Sequence, residues 1–469
     1  MKNFSITGTY TDLYQLTMGQ VYFLKGASAT QAVFDYFFRK IPFDGGYVVF
    51  AGLGDLLPLI AELHFSKDDI DYLHSLGLDR KFVNHLKDFR FRGTIYAARE
   101  GEIVFPNEPI VRVEGSMLDA QLVETILLNF LNFQSLVATK ASRMRYVAGK
   151  KILSDFGLRR AQALGGYHAS RAAIVGGFNS TSNVKAGEDF GIHVVGTLAH
   201  SFIQSYEDEV AAFRDFAEQR PNNCVLLVDT YDTVRSGLPN AIIVGKEMEK
   251  RSQRLQGIRL DSGDLAYLSK VARKMLDDAG LDYVTITASN QLDEHVIKSL
   301  EDQGAPIDIY GVGTNLVTCP PDAALDGVYK LAYAAGKPRI KLSENRNKIT
   351  LPHKKQLYRI FNEDGSFLGA DLVALADEGE VNEVYHPADP DKWLAVSGLK
   401  QEKLLHLVMS DGKIVERLPS LQHISEYCQS RLAKLAAGHK RFQNPHIYKV
   451  GISKSLRDLR NEMRRQHNK

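Results

Sequence analysis

At 469 residues the chain is too long for one ordinary core, so two or three packed regions are expected. It is 44% hydrophobic and 24% charged, as a globular protein is, and Lys+Arg 58 against Asp+Glu 56 leaves only +2, no global field for nucleic acid or a membrane. Cys224, Cys319 and Cys428 have no paired spacing, which excludes a cysteine zinc site; without an apolar signal core or a run of about 18 apolar residues, a cytoplasmic protein is expected.

The first region, 1–130, mixes helical and strand patterns as an N-terminal α/β domain would. Leu13, Leu16, Val21 and Tyr22 recur near a helical period over 11–23, with Thr11 or Asp12 placed to cap it. Residues 32–39 are rich in strand-forming aromatics, 94–98 and 109–114 read as short strands, and 118–138 as a long apolar helix. Over 131–340 short apolar strand runs recur at 151–154, 172–175, 192–195, 225–228, 258–260, 284–287 and 307–310. Helical stretches at 201–219, 264–279 and 292–303 separate several of them. Such alternation implies a parallel sheet with right-handed crossovers. Seven strands, or eight with 329–333, suffice for an irregular α/β barrel, and the strand count favours it over an open doubly wound sheet. The last region, 341–469, is more polar, with turn-like NEDGS and MSDGK segments and a helix over 421–436. It reads as a C-terminal extension that partly packs with the N-terminal domain.

The residues that follow the middle strands share a chemistry. Asp155, Phe156 and Arg159 follow the first; Asn179, Ser180 and Thr181 the second; Thr197 and His200 the third; Asp229 and Asp232 the fourth. Arg259, Asp261 and Ser262 end the fifth, Ser289 and Asn290 the sixth, and Gly311, Gly313 and Thr314 the seventh. In a barrel all of these lie on the C-terminal rim, where active sites are built. Helix capping accounts for many of the Ser, Thr, Asp and Asn residues, but not for the arginines, the histidine or the phenylalanine. The segment 310–315, YGVGTN, offers backbone N–H groups beside a helix start, which suits a phosphate, and Ser289-Asn290 could complete the site. Tight turns need glycine too. Gly52-Leu53-Gly54 lacks the rest of a dinucleotide fingerprint. Within 259–264, RLDSGD, the guanidinium and carboxylates form either a plain ion pair or a site. In the second reading the arginine takes a substrate carboxylate, and the acids take ribose hydroxyls or hydrated Mg²⁺. A lone histidine such as His200 is usually a packed or surface residue, yet a neutral imidazole on this rim is a competent nucleophile towards phosphoryl groups.

Together these segments resemble the nicotinate phosphoribosyltransferase family. The matching elements are TDLYQLTM, SDFGLRRAQ, SRAAIVGGFNSTSNV, GTLAHSF, LLVDTYDT, GIRLDSGD, ITASNQLDE, YGVGTNLVT, KLSENRNKITLPHKKQLYR and NPHIYKVG, in order from about residue 8 to the C-terminal region. The resemblance implies an N-terminal α/β domain, a type II phosphoribosyltransferase-like irregular barrel and a C-terminal extension. It implies transfer of phosphoribose from phosphoribosyl pyrophosphate to nicotinate, driven by ATP with Mg²⁺. By motif, His200 would be the phosphorylated residue and Asp261 its catalytic companion. Tyr14, Phe156, Thr197 and Arg259 would bind nicotinate; Arg159, Ser289, Asn290, Gly311, Gly313 and Thr314 would contact phosphoribose and phosphate. No direct metal ligand is assigned. A homodimer with Tyr14 reaching into the neighbouring barrel is also implied. Leu198 stands where nicotinamide-using relatives carry an acid, which favours nicotinate, since a carboxylate there would repel the substrate's own. The rivals are an enzyme for nicotinamide or quinolinate, a non-catalytic binding protein that keeps the barrel, and a phosphosugar isomerase barrel. The last leaves Tyr14 and the GTLAH segment unexplained, and the intact motifs argue against the second.

Overall fold

The computed structural model describes residues 5–343, 349–389 and 391–467. The stretch 344–348 inside the KLSENRNKITLPHKKQLYR motif lies outside the described residues. The chain divides into two compact units, residues 1–136 with 324–469, and residues 137–323.

The second unit holds six parallel strands: β1 (Ile152–Asp155), β2 (Ser180–Thr181), β3 (Val225–Leu227), β4 (Gly257–Leu260), β5 (Thr285–Ser289) and β6 (Ile309–Val312). They lie in the order β2-β1-β6-β5-β4-β3, and a parallel bridge from Thr181 to Val194 adds one more step beyond β2. Every crossover between sequential neighbours therefore steps the same way, and the last strand lies beside the first. Right-handed crossovers then put all the helices on one face. A doubly wound sheet instead reverses direction at a switch point. The order is that of a barrel left open between Val194 and β3, and it confirms the α/β class.

Three strand expectations are corrected. Residues 172–175 end the helix Ala163–Val175, and the second strand is the short β2. A four-residue apolar run cannot separate a buried helix from a strand, and this helix is buried without a break from Ala169 to Val175. Residues 192–195 contribute only the Val194 bridge. The proposed eighth strand belongs to Gly327–Ala334, which pairs antiparallel with Gln31–Phe38 in the other unit. Two expected helices are each two: Met117–Leu122 with Glu124–Ala148, and His200–Gln204 with Glu209–Gln219.

The first unit contains a seven-stranded sheet in which Gln31–Phe38 lies between Gly327–Ala334 and Val111–Ser116. In a six-stranded sheet Phe367–Leu375 lies between Lys355–Phe361 and Lys449–Ile452. The MSDGK turn joins His406–Ser410 to Lys413–Ile414 with Asp411 and Gly412 both at positive φ, the geometry that lets two residues reverse a strand. Arg359 is fully buried in this unit. It bonds both Asp371 oxygens, Glu102 Oε1 at 2.7 Å and the Ile103 carbonyl at 2.6 Å. Arg431 Nε adds a bond to Glu102 at 2.9 Å, and the Tyr448 hydroxyl one to Asp371 at 2.9 Å. Burial pushes the Glu102 carboxyl up, but Arg359 and Arg431 outweigh it and hold it below its usual range.

Arg359→Ala leaves buried Asp371 without its cation and Glu102 with Arg431 alone, and is expected to cost about 3–5 kcal/mol in urea unfolding; a loss under about 1 kcal/mol would show that the pairs are idle. Because Glu102 titrates lower when folded than its unfolded value near 4.3, its stabilisation is present above that pH. It is lost as pH falls through the folded value, and the alanine variant, with only Arg431 left on Glu102, should show a smaller acid limb.

Candidate active site

The rim is fixed first by a buried knot at the end of β1. Asp155 accepts from the Gly157 N–H at 2.8 Å and from the Ser170 and Thr181 hydroxyls at 2.7 Å each. Asn183 joins it by donating to Ser170 at 3.2 Å. Burial raises the Asp155 carboxyl above its usual range despite these bonds. The knot ties β1 to β2 and to the helix Ala163–Val175, and it sets the direction in which Phe156 leaves the strand.

Phe156 explains the two glycines at the end of β6. Its N–H bonds the Val312 carbonyl at 2.8 Å, and its ring lies so close over Gly311 that any Cβ there would overlap it. A Cβ on Gly313 would come to 3.1 Å from the Phe156 carbonyl oxygen. Neither glycine has positive φ, so close approach rather than turn geometry is what demands them. Thr314 is exposed at the start of the short helix Thr314–Val317. Asn315 donates to the Gln291 and Leu292 carbonyls at 3.1 and 3.2 Å, clamping this loop to the one after β5. There Asn290 is exposed, and it and Gln291 take successive left-handed conformations that turn the chain sharply outward.

Arg259 is the hub. Nε donates to Ser289 Oγ at 2.8 Å, Nη1 to Thr197 Oγ1 at 3.1 Å and Nη2 to Asp261 Oδ1 at 2.7 Å. Its guanidinium carbon lies 5.4 Å from the Phe156 ring centroid. A guanidinium has five N–H groups, so two remain for a ligand. Ser289 also donates to Asp261. The Asp261 backbone is held in turn by Asp229, whose Oδ2 accepts from the Asp261 N–H at 2.9 Å and from Ser262 Oγ at 2.6 Å.

His200 opens a helix, with 40% of its side chain exposed. Its Nδ1 lies 3.1 Å from Thr230 Oγ1, and its Nε2 3.9 Å from Asp261 Oδ2. In the tautomer that donates Nδ1–H to Thr230, the nucleophilic lone pair is on Nε2. Leu198, two residues earlier, is buried.

The structure thus joins Phe156, Thr197, His200, Arg259, Asp261 and Ser289 through contacts on one rim, with Gly311 and Gly313 beneath Phe156. Arg159 is exposed on the turn Leu158–Arg160, with no ion-pair partner among the described residues. Tyr14 lies in the other unit on the helix Leu13–Leu24, 48% exposed, its hydroxyl 3.5 Å from Glu124. Burial and then the Glu124 charge raise the Tyr14 phenol above its usual range. Residue types alone did not single out Thr230 and Asp229 as supports, although both stand in LLVDTYDT directly after β3. Asp232 and Asp264 do cap helices, accepting from backbone N–H groups two and three residues on.

Comparison with known proteins agrees over nearly the whole chain. Residues 9–132 match the nicotinate phosphoribosyltransferase N-terminal domain, 152–381 the nicotinate phosphoribosyltransferase family and 354–460 its C-terminal domain. The chain is 44% identical to nicotinate phosphoribosyltransferase of Bacillus subtilis, over 98% of this chain and 95% of that one. It is 35% identical to the Homo sapiens protein of the same name, over 97% and 96%. The crystal structure of human nicotinic acid phosphoribosyltransferase superposes with a TM-score of 0.87 at 33% identity, covering 97% of this chain and 99% of that one. The nicotinate-nucleotide pyrophosphorylase of Pyrococcus furiosus superposes with a TM-score of 0.72 at 26% identity, over 92% and 99%.

Overpacking by Gly311→Ala should destabilise by about 1–3 kcal/mol in urea unfolding. In a Phe156→Ala background the same change should cost less, because the clashing ring is gone. Additive losses would detach the glycine from the ring.

Proposed function

The chain belongs to the nicotinate phosphoribosyltransferase family, and we propose a division of labour on its barrel rim for that reaction. The reaction joins N1 of nicotinate to C1 of phosphoribosyl pyrophosphate and releases pyrophosphate, giving nicotinate mononucleotide for NAD salvage. The observation that carries the assignment is Arg259, anchored by three hydroxyl or carboxylate partners, with two N–H groups left over and Phe156 at 5.4 Å. An aromatic acid fits that pair: its ring on Phe156, its carboxylate on the guanidinium, with Thr197 keeping the arginine in place. The buried leucine at 198 puts no second carboxylate beside the substrate's own.

As the C1–O bond breaks, positive charge grows on C1 and negative charge on the departing pyrophosphate. Ser289, Asn290, Gly311, Gly313 and Thr314 supply hydroxyl, amide and backbone N–H groups for the phosphoribosyl group, and exposed Arg159 supplies a mobile cation for the leaving anion. Asp261, already oriented by Arg259 and by Asp229, is placed to take a ribose hydroxyl.

Mg²⁺ suits a site of this kind when it arrives with the diphosphate and keeps most of its waters. No group of three or more acidic, histidine or cysteine side chains forms a ready metal cage among the described residues. Asp229 Oδ1, however, is buried without a hydrogen-bond partner, an acceptor that a hydrated cation would satisfy. Asp229 and Asp261 are therefore the residues that would hold it. Bound there, Mg²⁺ would offset the charge of the pyrophosphate.

ATP coupling is assigned to His200. Its Nε2 attacks the terminal phosphorus of ATP, the P–O bond to the diphosphate breaks, and ADP leaves with the electron pair; water later hydrolyses the phosphohistidine to inorganic phosphate. Exposure of the imidazole and the Thr230 contact at Nδ1 support that role. Tyr14, exposed on its helix, is assigned to the barrel of a second subunit in a homodimer. No helix among the described residues is long and apolar enough to cross a membrane.

Pyrophosphate release, measured while nicotinate, phosphoribosyl pyrophosphate, Mg²⁺ and ATP are omitted in turn, tests the whole reading. Nicotinate should be the best acceptor, and faster turnover with nicotinamide would sink the assignment of Leu198. Arg259→Ala should raise the nicotinate KM about 10²-fold, as loss of a charged hydrogen-bonded pair does; an unchanged KM would place the carboxylate elsewhere. In His200→Ala, stimulation by ATP should vanish while slow uncoupled transfer persists. Full coupling in that variant would remove the histidine from the reaction.

A further inference from the structure

The helix Lys454–His467 carries Arg457, Arg460 and Arg464 at spacings that put them on one face. Arg457 is accounted for, since its guanidinium carbon lies 3.8 Å from the Tyr385 ring centroid and its Nε 3.5 Å from Asp458. Arg460 is not. It is only 8% exposed, and its Nε is buried with no hydrogen-bond partner. Its one hydrogen bond among the described residues runs from Nη2 to the neighbouring Asn461 side chain, at a long 3.3 Å. Among the described residues no carboxylate pairs with Arg460 or Arg464. Burial, then the like charges of Arg464 and Arg457, lower the Arg460 pKa. A guanidinium still does not shed its proton at working pH, so a buried fixed cation is left with unfilled donors. Folded chains keep such a group only when something pairs with it.

Arg460 and Arg464 both line a cavity of about 260 Å³ whose remaining wall is mostly apolar, including Ile349, Leu351, Pro387 and Ile452. That volume is near the lower end for small-molecule sites. Two adjacent guanidinium forks suit a phosphate dianion better than a single carboxylate, which one fork already satisfies. The apolar wall leaves room for a carbon body attached to that anion. We propose that this cavity binds a small organic phosphate, with the phosphate on Arg460 and Arg464 and the organic part against the apolar wall. The site is built wholly from residues of the unit formed by 1–136 and 324–469. It shares no residue with the barrel rim and goes beyond the transfer of phosphoribose to nicotinate.

Calorimetric titration of the full chain with phenyl phosphate tests it, with inorganic phosphate as the bare anion. Arg464→Gln, at a half-buried position, keeps the fold in play, and Arg460→Met keeps the buried volume. Binding of phenyl phosphate to the wild type should weaken at least about tenfold in Arg464→Gln and more in Arg460→Met, with inorganic phosphate about tenfold weaker than phenyl phosphate throughout. The KM for phosphoribosyl pyrophosphate should stay within about twofold in Arg464→Gln. Identical titrations of wild type and Arg464→Gln would overturn the site, and equally tight inorganic phosphate would overturn the organic body. A rise of about tenfold in that KM would make the cavity part of the substrate path and end its separate standing.

Discussion

One guanidinium organises the rim. Arg259 leaves β4 and holds Thr197 from the loop before His200, Ser289 at the end of β5 and Asp261 on its own loop. Three segments distant in sequence are thereby locked to a single planar fork, whose donors point in fixed directions. The remaining geometry follows from that anchor. Asp261 is turned towards His200 because its other oxygen is already on Arg259, and Phe156 has the cation at its side. Lysine would keep the charge but not the three simultaneous directions.

Arg359 shows what the same side chain does when nothing is left over. It is fully buried, with two carboxylates and a carbonyl around it and aromatic rings beside it, the Phe367 centroid at 4.3 Å. Its charge is neutralised within the unit, so it fixes packing and offers nothing to a ligand. Arg259 is less enclosed, meets one carboxylate rather than two, and keeps two donors. Arg460 is the third case, buried like Arg359 but without its acids. Residue type is common to all three, so their roles are separated only by burial and by the count of acceptors nearby.

Much of this was legible in the sequence, because strand runs in a parallel barrel are short, apolar and followed by the residues of the rim. Arg259, Asp261 and Ser289 could be placed at strand ends from that rule alone, whereas the run before His200 is only a bridge at Val194. What stayed hidden has physical causes. The run at 172–175 is as apolar as a strand because its helix is buried all round from Ala169 to Val175, and periodicity says nothing when every face is covered. The strand at 327–334 has the composition of a barrel strand, but its partner Gln31–Phe38 lies almost 300 residues earlier, and pairing over that distance leaves no local trace. The glycines at the end of β6 suggested a phosphate cradle. Their nearer reason is the Phe156 ring and carbonyl, a contact that no spacing rule reveals.

His200 and the Arg259 hub meet in Asp261, and this gives the proposed phosphorylation a route to the substrate. Nε2 lies 3.9 Å from one Asp261 oxygen while Arg259 holds the other. A neutral imidazole leaves that carboxylate to the arginine. A phosphoryl group on Nε2 would bring negative charge to within a few ångströms of it, where two unit charges at a surface-like dielectric interact by up to about 4 kcal/mol. Both side chains are partly exposed, so solvent and salt reduce that figure. Even a third of it would shift an equilibrium about tenfold. The repulsion favours any cation that binds between the two groups, and it presses Asp261 towards Arg259, which holds its other oxygen. Hydrolysis of the phosphohistidine would remove that charge and with it the extra hold on the cation. The coupling needs no moving domain, only one carboxylate shared between a group that changes charge and a group that cannot.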